Sequence, residues 1–304
     1  MRQAFCSALT AQASRPEFVF LSGDLGFKAL EPLQEALGPR FLNAGVSEQN
    51  MVTVAAGLAR GGMRPWAYSI APFIYARPFE QIRNDVCFHE LPVILVGNGG
   101  GYGYGVMGSS HHALEDYGSL LTLPGMRALV PAFDADLAAI VPSLMQCGGP
   151  AYLRLGLSEE PKGWTPPAYA PWRKLLDGKG PALVAAGPLI GAALPALAAM
   201  EEKLRPEVWL VSELPLARLP EEFLESLRRS RRLVVVEEHS AHGGLGQSLA
   251  YSLARAGEMP PSFAHRHAMG YLSGLYGSQK YHRAECGLDP AGIVAAVAPP
   301  VAPL

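Results

Sequence analysis

The chain has 304 residues, 49% of them hydrophobic and 17% charged, enough for two α/β domains with sizeable cores and too apolar for a disordered chain. Twenty-five basic against 27 acidic residues leave a net charge of -2, so there is no basic field to hold nucleic acid or an anionic membrane. Four single cysteines, Cys6, Cys87, Cys147 and Cys286, show neither CxxC nor zinc spacing and read as reduced packing thiols.

The amino-terminal stretch has an early Arg2 and a short apolar run. Phe5, Ala8 and Leu9 at helical spacing, with Gln12 interrupting, predict a helix rather than a signal peptide. No apolar run approaches the roughly 18 residues of a membrane span, and the expected location is cytoplasmic. Short β-rich runs then alternate with helical stretches. Strands are expected at Phe18–Ser22, Pro65–Ser69, Pro92–Gly97, Arg127–Val130 and Ala151–Leu155, and helices at Lys28–Leu37, Ser47–Arg60, Ala76–His89 and Asp134–Gln146. Continuous apolar strands such as PVILVG belong in a parallel sheet buried on both faces. The stretch Gly156–Gly180 is rich in Pro and Gly and loses periodicity, as a linker would. After it the alternation restarts with PALVAAG, EVWLVS, RRLVVVEE and SFAHRHA as strands, ending in a helix near Pro290–Val297. The expected fold is α/β, with two domains of mostly parallel sheet at 1–158 and 181–304 and a linker at 159–180.

In FLNAGVSEQNMVTVAAGLARGG (Phe41–Gly62) a strand enters a tight turn at Gly45. Ser47 is a good helix N-cap, which sets Glu48 at the mouth of a helix. Taken alone, Glu48 there only complements the helix dipole. GVSEQNMVTVAAGLA together with six further blocks in order changes that weighting: SGDLG (Ser22–Gly26), YSIAPF…RPFEQIRNDV (Tyr68–Val86), GSSHHALED (Gly108–Asp116), GPAYLRLG (Gly149–Gly156), EEHSAHGGLG (Glu237–Gly246) and GLDPAGIVAAV (Gly287–Val297). Together they resemble the transketolase and 1-deoxyxylulose-5-phosphate synthase family over nearly the whole chain, specifically its pyrimidine-binding domain followed by its C-terminal domain.

The resemblance implies thiamine diphosphate as cofactor, with Glu48 bonded to the pyrimidine N1′ as proton relay. It implies that Phe73 and Phe79 stack on the pyrimidine, with packing in the core as the alternative for both. It matches Asp24 to an acidic residue near the thiazolium, a turn-forming Asp being the other reading. It puts His111 in the substrate channel, as a catalytic group bonding substrate oxygens, with His112 as a second candidate. A metal reading of His112, Glu115 and Asp116 is weaker, and no residue is assigned to a metal.

The Gly-Asp-Gly…Asn signature that holds magnesium and diphosphate in such enzymes is missing, since Leu25 interrupts SGDLG. The resemblance therefore implies a separately encoded partner subunit carrying the diphosphate and Mg2+, in an α2β2 assembly that shares the cofactor. GGGYGYG (Gly99–Gly105) fits no phosphate-loop pattern and is expected to be a flexible loop bordering the channel. Asn98 stands where the family has a cationic phosphate ligand, and a second such position falls near Leu157, with Arg154 adjacent. Asn98 and Arg154 are the further substrate-binding candidates. The expected acceptor lacks a terminal phosphate, or has it held by the partner or by a displaced Arg154 or Arg77. The expected reaction is transfer of a two-carbon ketol or acyl unit from a ketose or 2-oxo acid donor. The rival readings are the β subunit of a 2-oxo acid dehydrogenase and a scaffold or regulatory subunit. A nicotinamide enzyme is disfavoured, as no GxGxxG follows the first strand.

Overall fold

A computed structural model describes residues 1–298 and shows two sheets with helices against their faces. Residues 299–304 of the expected second domain lie outside the described residues. The first sheet contains β1 (Phe18–Ser22), β2 (Phe41–Asn43), β3 (Arg64–Ile70), β4 (Ile94–Asn98), β5 (Arg127–Leu129) and β6 (Ala151–Leu155). They run parallel in the order β5-β6-β4-β3-β1-β2. Every residue of β1 and of β6 is buried, which is why these strands read as mostly apolar runs, with Ser22 and Arg154 their polar residues.

The second sheet contains β7 (Trp172–Leu176), β8 (Ala182–Ala186) and β9 (Glu207–Val211). A two-residue strand, β10 (Glu213–Leu214), then crosses to pair antiparallel with β5, before β11 (Arg232–Glu237) and β12 (Ser262–Arg266) complete the second sheet. Its order is β12-β11-β8-β9-β7, with β7 antiparallel to β9.

Three expectations are corrected. The stretch expected as a linker, 159–180, contains β7, whose residues alternate between half-buried and buried. Flanking prolines and the charged Arg173 and Lys174 hid it from the sequence, yet Arg173 is buried and pairs with Asp136 at 2.5 Å. The helix expected over Ala76–His89 is broken. Helical turns cover Ala71–Tyr75 and Phe79–Gln81, and Ile82–Cys87 winds as a π-helix, because Pro78 cannot continue a helix from the preceding turn. GGGYGYG is packed rather than flexible. Gly101 bonds Ala113 in both directions, and a Cβ on Gly101 would meet the Glu238 carboxyl at 2.6 Å.

The two halves share their interior. Tyr102 and Phe133 pack into the core of the second sheet beside Leu183 and Val234. Within the first half, Arg154 Nε donates to Asp116 Oδ2 at 2.8 Å and its Nη2 to the Ala113 carbonyl, and the same Nη2 crosses the seam to the Glu238 carbonyl. The Gly118 N–H donates to His239 Nε2 at 3.1 Å, and the His239 ring stacks on Tyr117 with centroids 3.8 Å apart.

Burial depresses the His239 pKa below its usual value, outweighing the nearby carboxylates of Asp116 and Glu237. The unfolded chain therefore binds a proton here at a higher pH than the folded one. The stabilisation is complete above the ordinary histidine range and is lost as pH falls from about 6.5 toward the depressed value, at up to about 1.4 kcal/mol per pH unit. We expect the urea midpoint to fall between pH 7.5 and 5.5, and to fall less steeply in His239→Gln. Equal slopes in the two proteins would remove His239 as a source of the acid sensitivity.

Candidate active site

Chain order reverses direction on the sheet at β1, which lies between β2 and β3. Such a switch point leaves a crevice beyond the carboxyl ends of the strands, the usual ligand position in open α/β sheets. The loop leaving β2 lies over that crevice. Asn43 shapes it, donating from Nδ2 to Asp24 Oδ1 at 2.8 Å and accepting the Gly45 N–H at 2.9 Å. Gly45 has φ +68, a left-handed conformation that suits glycine. Ser47 occupies the cap position of helix Glu48–Arg60, but its side chain makes no cap bond.

Glu48 is thereby set at the first turn of the helix with only 4% of its surface exposed. Ser69, at the end of β3, approaches Glu48 Oε1 at 3.4 Å. Arg77 Nη1 donates to both carboxylate oxygens, each at 2.9 Å. The same guanidinium lies over the Phe73 ring, 3.6 Å from its centroid, and is 44% exposed. Phe73 and Arg77 are four residues apart, the spacing that brings side chains together on a helical surface.

From Phe73 the contacts continue along the crevice. His111 meets Phe73 edge-on at 5.2 Å and Tyr104 at 5.8 Å between centroids. Its Nδ1 is 2.9 Å from Ser110 Oγ, and no partner of Nε2 occurs among the described residues. Tyr104 accepts a hydrogen bond at its hydroxyl from Asn98 Nδ2, 2.8 Å away at the end of β4. Glu48, Phe73, His111 and Asn98 are thus linked in one line, through Arg77 at one end and Tyr104 at the other.

The other candidates fall elsewhere. His112 is buried, with Nδ1 2.8 Å from the Tyr271 hydroxyl and Nε2 2.8 Å from the Gly105 carbonyl. A carbonyl requires the proton on Nε2, so the ring is spoken for at both nitrogens, and burial depresses its pKa. Arg154 is 5% exposed and spends its Nε and Nη2 on Asp116, Ala113 and Glu238, so it braces the interior and does not face the crevice. Phe79 is half-buried against the core. Asp24 is exposed at φ +59 and accepts the Asn43 Nδ2 hydrogen bond. Leu157 is 61% exposed.

Sequence reasoning underrated three participants. Ser69 carries no motif of its own. Tyr104 lay inside the glycine loop, where the glycines drew attention to the backbone; a Cβ on Gly99 would strike its ring at 2.3 Å, so glycine there makes room for the tyrosine. Arg77 entered the sequence reading only as an alternative phosphate ligand, not as a partner of Glu48. All four cysteines are free, and burial pushes the Cys87 thiol up to about 11, as expected of a packing thiol. Among the described residues no helix is long and apolar enough to cross a membrane, and no group of three His, Cys, Asp or Glu side chains could hold a metal ion.

Residues 1–160 match the family described as transketolase, pyrimidine binding domain. The chain belongs to the transketolase family. An apulose-4-phosphate transketolase subunit of Phocaeicola vulgatus is 30% identical, with 75% of each chain covered. The protein of the same name from Actinobacillus succinogenes is 29% identical over 87% of this chain and 86% of its own. The chain is also 32% identical to the 1-deoxy-D-xylulose-5-phosphate synthase of Thermus thermophilus, but spans only 35% of that longer enzyme. Among solved structures, a split gene transketolase described as an inactive beta4 tetramer is 33% identical, with a TM-score of 0.80 over 97% of this chain and 96% of that one. The transketolase from Leishmania mexicana shares the fold, with a TM-score of 0.77 at 18% identity. This transketolase-like chain is therefore an enzyme component of a thiamine-dependent family.

The placement of Arg154 makes a testable distinction. Removing one partner of a buried ion pair strands the other, at a cost of about 3–5 kcal/mol. We expect Arg154→Ala to lower the stability of this transketolase chain by that amount in denaturant titrations. A fold left intact together with altered preference between phosphorylated and unphosphorylated sugars would return Arg154 to the substrate channel.

Proposed function

We propose that this chain is the pyrimidine-binding and C-terminal subunit of a two-component, thiamine diphosphate-dependent transketolase that moves a two-carbon ketol unit from a ketose donor to an aldose acceptor. The observation that carries the reading is the buried Glu48 carboxylate at the switch point, joined to the Phe73 ring through the Arg77 guanidinium. These residues fit the aminopyrimidine end of the cofactor: a desolvated carboxylate accepts hydrogen bonds from a ring nitrogen, and an aromatic face accepts a flat heterocycle. The sequence has no Gly-Asp-Gly…Asn block for the diphosphate end. A separately encoded subunit is proposed to supply that end with its Mg2+, in an α2β2 assembly of the cytoplasm. Two relatives that are themselves named as subunits, and the split gene of the structural neighbour, support a partner.

When bound, thiamine diphosphate supplies a nucleophilic carbon for cleaving the donor. Glu48 is proposed to hold the proton at the pyrimidine ring nitrogen, and Ser69 to steady the Oε1 side of its carboxylate. Phe73 offers its face to the ring. His111 is proposed as the channel residue, since Nε2 can donate to or accept from a substrate oxygen while Ser110 engages Nδ1. Asn98, through Tyr104, sets the far wall. Relatives named for ketol-type enzymes favour this reading over a 2-oxo acid dehydrogenase, and the retained Glu48 and Phe73 favour it over a scaffold. The phosphorylated sugar in two relatives' names bears on the acceptor. With Arg154 turned inward, any phosphate grip is left to Arg77 or the partner.

Two outcomes test the proposal. The purified chain should bind thiamine diphosphate weakly at best by calorimetry, and micromolar binding with turnover by this chain alone would refute the split assignment. In the assembled enzyme, Glu48→Gln should preserve assembly but slow hydrogen–deuterium exchange at the cofactor's C2 by at least about 100-fold, the scale of a lost acid–base group. Normal exchange in that variant would dismiss Glu48 as the relay.

A further inference from the structure

We propose that Arg77 is a built-in stand-in for the aminopyrimidine, holding the site closed until the cofactor displaces it; this inference rests on the assignment of Glu48 and Phe73 to the pyrimidine. One guanidinium meets both demands the heterocycle would make. It bonds the two Glu48 oxygens from Nη1 at 2.9 Å and covers a face of Phe73 at 3.6 Å. Guanidinium is planar and carries its N–H donors in that plane, so it resembles a flat, donor-edged heterocycle in shape and polarity. A ring cannot take that face of Phe73 while the guanidinium lies on it, because the gap equals one van der Waals layer.

The chemistry also explains why such a stand-in is needed. Glu48 is 4% exposed, and a carboxylate this buried is costly unless a charge or several donors face it. Among the described residues its other side-chain hydrogen-bond partner is the Ser69 hydroxyl at a long 3.4 Å. Arg77 supplies the charge, yet at 44% exposure it has a short way out to water. Pro78 follows it and breaks the helix there, so the Arg77 side chain is anchored by Phe73 and Glu48 alone among the described residues. Cofactor binding then replaces one partner of Glu48 by another and leaves the carboxylate compensated throughout. The released guanidinium is a free cation at the mouth of the crevice.

The apparent affinity for a ligand falls by the fraction of chains whose site is open. Removing the stand-in should therefore tighten aminopyrimidine binding. The probe is 4-amino-5-hydroxymethyl-2-methylpyrimidine, titrated into the full chain by NMR at millimolar concentration, with circular dichroism confirming the fold of every variant. Arg77→Ala is expected to bind it about tenfold more tightly than the parent chain. Guanidinium chloride at non-denaturing concentration should reverse that gain in Arg77→Ala, whereas matched sodium chloride should not; a merely structural arginine predicts no such competition. Glu48→Gln in the Arg77→Ala background should abolish the binding.

Equal or weaker probe binding by Arg77→Ala, with dependence on Glu48 intact, would overturn the stand-in and leave Arg77 as a ligand of the heterocycle. Binding that does not depend on Glu48, or none in any variant, would overturn the assignment of Glu48 itself, and the stand-in with it.

Discussion

Two consecutive buried carboxylates at the end of β11 hold the molecule together. Glu237 accepts the N–H groups of Leu245 and Gly246 at 2.7 and 2.8 Å, lies 2.8 Å from His265 Nε2, and accepts the Tyr117 hydroxyl from the first half. Burial alone would push its pKa up, but these donors and the nearby His239 outweigh it and hold the carboxyl below its usual range. Glu238 faces the other way. It accepts the Tyr102 N–H at 2.8 Å and pairs with Arg283, which also reaches Glu159. Desolvating two neighbouring carboxylates is tolerable only because both are saturated with donors drawn from both halves.

The crevice depends on this arrangement. Tyr102 and Tyr104 share one glycine-rich loop, and the Tyr102 backbone is fastened to Glu238 in the second half. Two residues on, Tyr104 takes its bond from Asn98 and flanks His111. Behind that loop Arg154 joins Asp116 to the Glu238 carbonyl, so the position of His111 is set through groups of both halves. The C-terminal half thus acts on the site through the loop it braces, although Glu48, Phe73 and His111 all belong to the first half. A residue at the seam would be expected to move activity by moving this loop, with no contact to substrate.

Much of this was readable from the chain. The strands Phe18–Ser22 and Ala151–Leu155 are where apolar runs placed them, because a strand buried on both faces selects apolar side chains except where a partner compensates a charge, as Asp116 does for Arg154. The Gly45 turn and the following apolar periodicity placed Glu48 at the start of a helix, and the resemblance of motif order, not that local pattern, singled it out. Local pattern failed where charge is buried. Arg154, Arg173 and His112 carry the marks of surface or site residues, and each is interior because a partner far along the chain compensates it. No local periodicity encodes such a partner.

The sequence by itself determined the α/β alternation and, through motif order, the family and the candidate residues, since these depend on near-neighbour spacing and on the order of short blocks. Tertiary structure decided which of those residues share a space. Phe73 and His111 are separated by the whole of β4 and the glycine loop, and only the parallel sheet brings their rings to 5.2 Å. It also decided that Arg77 lies on Glu48, because pairing of a buried carboxylate is settled by whichever cation the fold leaves within reach.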